Sequence, residues 1–131
     1  MNDVSINWTE LREFRAVGLT QSFILSWQMQ DDALRIDLDL LLLPEHAFYE
    51  KPRPSEGACF RPAMLEFPHC ALVSSDGNTG GASSEVVSGL SHGRISSMRL
   101  TADGQYEIQG NFGTIKVHAE RPILRLQGPG T

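Results

Sequence analysis

The clearest pattern along the chain is an alternation. Leu34, Ile36, Leu38, Leu40 and Leu42 take every second position, and Arg35, Asp37 and Asp39 stand between them. That period of two places one apolar and one charged face on a β-strand. Leu41 and Leu43 add apolar groups to the charged side at the far end, so that end must be covered on both faces, and the N-terminal segment is the candidate cover. The stretch SFILSWQM, 22–29, is rich in aromatic and branched side chains, and the turn signal QDD at 30–32 separates it from the alternating strand. A hairpin is expected. Residues 7–16, NWTELREFRA, predict a short helix: Asn7 is a cap with Glu10 three residues on, and Trp8, Leu11 and Phe14 fall at helical spacing.

After the leucines the pattern breaks. Pro44, Pro52, Pro54 and Pro62 each fix φ and lack an N–H, which predicts a stiff, ordered loop over 44–62 without regular pairing. Strand character returns at MLEFPHCALV, 64–73, with Leu65 and Phe67 on one face. The block SSDGNTGGASS, 74–84, has almost nothing to bury and predicts a flexible connection reaching to about residue 92. The last third, GRISSMRL (93–100), QYEIQG (105–110), TIKVHA (114–119) and ILRLQ (123–127), predicts a β-meander. Its inward positions are Tyr106, Ile108, Ile115, Val117, Leu124 and Leu126. The sum is a single all-β domain over 1–131: a mainly antiparallel sandwich or flattened barrel of about seven strands with one short N-terminal helix.

Composition narrows the function classes. The chain of 131 residues carries a net charge of −5, and the first 73 residues hold eleven acids against six bases while the rest hold five of each. Without a Lys/Arg cluster neither nucleic acid nor an anionic membrane is an expected partner, because both require counter-charge. No apolar run approaches the roughly 20 residues of a membrane helix. The start, MNDVSINWTELREF, shows no basic region followed by an apolar one, so a cytoplasmic location is expected. Cys59 and Cys70 are expected to stay as buried thiols.

Candidate chemistry is sparse. Asp37 and Asp39 lie on one face of a strand, where paired carboxylates can hold a divalent cation or divide acid and base roles. With Glu45 and His46 beyond them they outline a metal-dependent or acid–base hydrolase-like site. The plainer reading is that an antiparallel sheet carries acids on its polar side. His46, His69, His92 and His118 show no short metal-binding spacing. Cys59 has no helix N-terminus or nucleophile elbow beside it. No cofactor or metal is expected. The proline-stiffened loop carries Phe48, Tyr49, Lys51, Arg53, Glu56, Phe60 and Arg61, aromatic anchors and charges on a preordered backbone. These either meet a partner or tuck under the loop and close the core.

Read together, LLLPEHAFYEKPRPSEGACFRPAMLEF and GRISSMRLTADGQYEIQGNFGTIKVHAERPILRL resemble a family of small bacterial all-β proteins without assigned activity. Its pattern runs from a hairpin into Leu-X-Pro-Glu-His-Pro-X-Tyr, then Pro-X-Pro-Gly-Glu, Cys-Tyr-Arg and a closing Gly-Asp-Trp-Gly-like hairpin. The likeness spans Leu19 to Leu126 and keeps Glu45, His46, Tyr49, Pro52, Pro54, Glu56, Cys59 and Arg61. It departs at Ala47, at Arg94 and Ser96, and at Asn111 and Phe112. The resulting expectation is a non-catalytic binding or protein-interaction module of a bacterial cytoplasm. Its binding residues would be His46, Tyr49, Arg53, Glu56 and Arg61, with the acidic strand face as a second surface that complements a basic protein partner. Self-association through a sheet edge or face is open. The rivals are the hydrolase-like enzyme and a binder of a small apolar ligand held in the core.

Overall fold

The computed structural model describes residues 6–47, 49, 51, 59–75, 86, 87, 90 and 92–126. Among them run nine strands: β1 (Ile6–Asn7), β2 (Val17–Gln30), β3 (Ala33–Leu42), β4 (Cys59–Phe67), β5 (Leu72–Ser75), β6 (Gly93–Leu100), β7 (Tyr106–Gly110), β8 (Gly113–His118) and β9 (Ile123–Leu126). Every pairing is antiparallel. They form one sheet in the order β5-β8-β7-β6-β2-β3-β4-β9, with β1 alongside β6. The all-β expectation holds; the sheet, however, has nine strands rather than about seven, and it is open, its end strands β5 and β9 being unpaired with each other.

The open sheet folds back on itself. Phe67 in β4 and Tyr106 in β7 are separated by three strands along the sheet, yet their ring centroids lie 5.2 Å apart. The link from β4 to β5 fastens the fold: Ala71 N–H donates to the His118 carbonyl at 2.7 Å and Glu120 N–H to that of Pro68 at 3.0 Å. The core lies between the two halves. Leu34, Ile36, Leu38, Leu40 and Leu42 line it at 0–1% exposure, so the alternation in β3 translates directly into an inner face. On β4 the register sets Cys59, Arg61, Ala63, Leu65 and Phe67 opposite these residues, on that same inner face.

The expected helix over 7–16 is replaced by two 3-10 turns, Trp8–Glu10 and Arg12–Phe14. The capping-box residues are in place, Asn7 N–H donating to Glu10 Oε2 at 3.2 Å. Leu11, between the turns, is extended at φ −91°, ψ 125° and is buried, as is Phe14. An isolated helix this short is marginal, and burial of Leu11 outweighs it. Leu41, at the doubly apolar end of β3, is buried against Gly18: a Cβ at Gly18 would stand 2.6 Å from Leu41 Cδ2. A glycine at position 18 on the neighbouring strand thus makes room for the Leu41 side chain.

Three further expectations change. The loop over 44–62 ends at Cys59, where β4 begins, and Pro62 sits in that strand opposite Asp39. It lies one residue beyond the β9 ladder, which covers only Ala63–Glu66, so there β4 is an edge and tolerates a residue without an N–H. The meander comprises β6, β7 and β8 only. Anchored through Glu120 to Pro68, the chain then crosses to pair β9 with β4, and Leu124 and Leu126 pack against the core from there. Finally, the connection read over 74–92 starts inside β5 and includes Val86 and Val87, both buried; residues 76–85 lie outside the described residues.

Candidate functional site

The outward face of β2, β3 and β4 is the most distinctive surface of the described residues. Its composition follows from register. Phe23, Asp39 and Pro62 form one cross-strand row, Ser26, Asp37 and Met64 the next, and Leu41 with Phe60 the row beyond Asp39. A bulge in β2 adds to it: Ile24 and Trp27 are both buried, so the two residues between them, Leu25 and Ser26, project outward together. Leu25 is 56% exposed and Phe23 37%. The acids of the central strand are therefore flanked on both sides by apolar groups that water reaches.

Charge on this face is unevenly compensated. Toward the β2–β3 turn, Arg35 sits opposite Glu66 and donates to Gln30 Oε1 at 2.7 Å, while Arg125 reaches Glu66 at 3.4 Å. That end leaves its one acid compensated, with two arginines to the single glutamate. Asp37 accepts a hydrogen bond from the Ser26 hydroxyl at 2.7 Å, and no cation among the described residues is paired with Asp37 or Asp39. The nearby Arg94 lies over the Phe23 ring, 4.7 Å from its centroid, a cation–π contact rather than an ion pair.

The residues singled out in the loop after β3 do not assemble with the aspartates. Glu45 and His46 share an open concavity of about 520 Å³ with Arg15, Ala16 and Ala47. Ala16 has φ +60°, and its carbonyl accepts from Leu43 N–H at 3.0 Å, which brings the two turns together. Tyr49 N–H donates to the His46 carbonyl at 3.0 Å, and the Tyr49 side chain packs against the core. Arg61 stands on the inner face of β4 opposite Leu40, its guanidinium donating to the Phe60 carbonyl at 3.3 Å. Of that set, His46 borders the open concavity, whereas the Tyr49 side chain packs against the core and Arg61 stands on the inner face of β4. Arg53 and Glu56 lie outside the described residues.

A second groove, about 510 Å³, runs between the N-terminal turns and β6–β7, lined by Asn7, Glu10, Ser97, Met98, Arg99 and Gln109. Buried Glu107 organises its floor: its Oε1 accepts from Arg99 Nε and Nη2, each at 3.0 Å, and from Gln109 Nε2 at 3.5 Å, and Ser97 donates to Gln109 Oε1 at 3.0 Å. The pairs Ser97–Gln109 and Arg99–Glu107 face each other across β6 and β7, so the network is the cross-strand chemistry of a polar sheet face. Among the described residues no three His, Cys, Asp or Glu side chains converge as a metal site would require. Cys59 and Cys70 are buried thiols without a disulfide.

Sequence reading placed Asp37 and Asp39 correctly on an outward face but passed over the apolar groups beside them. For Leu25 a signal existed, since Ile24 and Trp27 are three apart and cannot share the inner face without an extra residue between. For Phe60, Pro62, Met64 and Arg94 there was none, because strand register brings them there. Compared with family models, with curated proteins and with solved structures, the chain matches none.

Proposed function

We propose that this chain is a non-catalytic protein-interaction module that docks a basic protein partner through the outward face of β2–β3–β4. One observation carries the reading: the register sets Asp37 and Asp39, without a cation paired to either among the described residues, inside a frame of partly exposed apolar side chains. Apolar groups supply contact area while the acids select the sign of the partner and speed its approach. A bacterial, cytoplasmic setting belongs to the same proposal. The family likeness and the two thiols support it, and no helix among the described residues is long and apolar enough to cross a membrane.

The enzyme reading asks Asp37, Asp39, Glu45 and His46 to meet in one pocket. Glu45 and His46 share theirs with Arg15, whereas the aspartates lie between Phe23, Ser26, Pro62 and Met64 on β3. The apolar-ligand reading asks for space between the sheet halves, where Leu34, Ile36, Leu65, Phe67, Ile115 and Val117 are packed at 0–1% exposure. Neither reading draws support from these arrangements.

The test compares the parent chain with a Phe23→Ser/Leu25→Ser variant, both immobilised and exposed to extract of the native host. The expected result is retention of a specific basic protein by the parent, elution by salt, and loss of retention in the variant with its melting temperature nearly unchanged. Equal retention by both chains, or a retained partner that is acidic, would overturn the proposal.

A further inference from the structure

Resting on that docking face, we infer the chemistry of the segment that occupies it: an extended stretch carrying two arginines two residues apart, preceded by an apolar residue and not followed by a third base. Asp37 and Asp39 are successive outward positions of one strand, so their side chains repeat at roughly 7 Å. An extended partner has the same repeat, which lets Arg-X-Arg set one guanidinium against each carboxylate in register. An Arg-Arg dipeptide would send its side chains to opposite faces.

Arginine fits better than lysine. Asp39 lies between Phe23 and Pro62, and Asp37 beside Leu25 and Met64, so a cation reaching either carboxylate also rests on apolar surface. A planar, weakly hydrated guanidinium can bond a carboxylate at its edge and stack through its faces, whereas a lysine ammonium holds its water and loses that contact. This chain already places one guanidinium on Phe23, that of Arg94.

For a segment laid antiparallel to β3, the ends of the face fix order and length. Two residues beyond Asp39 the row is Leu41, itself buried, and the half-buried Phe60, whose ring takes an apolar side chain. Two residues beyond Asp37 it becomes Arg35, opposite Glu66 and bonded to Gln30, in the end where Arg35 and Arg125 outnumber the single Glu66. A third base there meets a like charge, and such repulsion is how a face rejects near matches.

The inference is tested with blocked synthetic peptides titrated into the 15N-labelled full chain at low ionic strength. The probe is Leu-Ser-Arg-Ser-Arg-Ser-Ser, compared with its double lysine version, a version with Arg as the last residue, two positions beyond the second arginine and so on the same face, and the probe against Asp37→Asn/Asp39→Asn. The expected result is amide shifts confined to β2, β3 and β4, affinity about tenfold weaker for the lysine peptide, weaker binding of the triple-arginine peptide, and loss of shifts in the double variant, whose own spectrum keeps the parent dispersion. Equal affinity of the arginine and lysine peptides, shifts centred on Glu45–His46 or on the Glu10–Arg99 groove, or no shifts at millimolar peptide would overturn it. If the Phe23/Leu25 variant releases a basic partner while the peptides show no such preference, the docking face stands and the arginine pair falls. If that variant and the parent retain partners equally, the face itself falls, whatever the peptides do.

Discussion

Ser22 shows how much one side chain can settle. Four residues of β2, Leu19 to Ser22, stand opposite Leu40 alone, because the register moves from Gly18–Leu41 to Phe23–Asp39. The fully buried Ser22 hydroxyl repairs the interrupted ladder, donating to the Gly18 carbonyl and accepting from Leu41 N–H, both at 2.9 Å. Replacing Ser22 by Ala leaves two buried backbone groups unsatisfied, and the expected loss is about 1–3 kcal/mol, read as a lower urea midpoint at constant slope. An unchanged midpoint would mean that the bulge closes without the hydroxyl. The facing of β3 gives a second contrast. Leu38→Ala opens a core cavity and is expected to cost about 2–5 kcal/mol, while Asp39→Ala, half-exposed on the other face, should stay within about 0.5 kcal/mol; similar losses would contradict the facing. Cys70 supplies a pH dependence. Burial pushes its thiol up, and the Asp32 carboxylate adds to the push. The folded state thus holds the thiol proton more tightly than the unfolded state does. Stability from this source is complete below the ordinary thiol pKa of roughly 8.5 and is lost as pH rises through the raised value. Alkaline melts of Cys70→Ala should show a shallower decline than the parent's, and parallel curves would exclude the effect.

At the level of elements, close approach and connection decide what propensity leaves open. The β7–β8 hairpin turns through Asn111 and Phe112, with Gly113 at φ +102°. Phe112 meets Trp27 edge-on at 5.2 Å, which fastens the hairpin to β2. Gly110 is where the backbone comes closest: a Cβ there would lie 2.2 Å from the Arg94 carbonyl oxygen and 2.6 Å from the Phe112 ring. Gly110→Ala is expected to push Phe112 off Trp27 and to cost about 1–3 kcal/mol. A shifted tryptophan emission together with a lowered melting temperature would register both effects, and an unperturbed emission would show that the ring stays in place. The N-terminal segment carries the complementary lesson. Its capping box forms, yet Leu11 is drawn into the core and only two 3-10 turns survive.

For the whole molecule, an acidic chain of net charge −5 with its excess acids in the first 73 residues sets two of them, Asp37 and Asp39, on the outward face proposed for docking. Asp37→Asn/Asp39→Asn should therefore lower the association rate with a basic partner and flatten its dependence on ionic strength, while the thermal melt barely moves. Stopped-flow measurements at several salt concentrations check this, and identical salt slopes for parent and variant would remove the two acids from the encounter.

Local pattern alone determined a good part of this protein. The inward leucines of β3, the hairpin through Asp31 and Asp32, the bounds of β6 and the inner faces of β7 and β8 were all legible, because alternation and turn chemistry act between neighbours in the chain. The tertiary structure decided what depends on residues far apart in sequence. It extended β4 back to Cys59 and carried β9 away from the meander to β4. It also dissolved the helix in favour of burying Leu11 and turned Arg61 toward the core. Of the candidate site, the acids were visible in the sequence as one half of an alternation. Their apolar frame was not, since Phe23, Phe60, Pro62 and Met64 reach it only through the register of β2 and β4 against β3, and a register is a choice among pairings that the whole core makes at once.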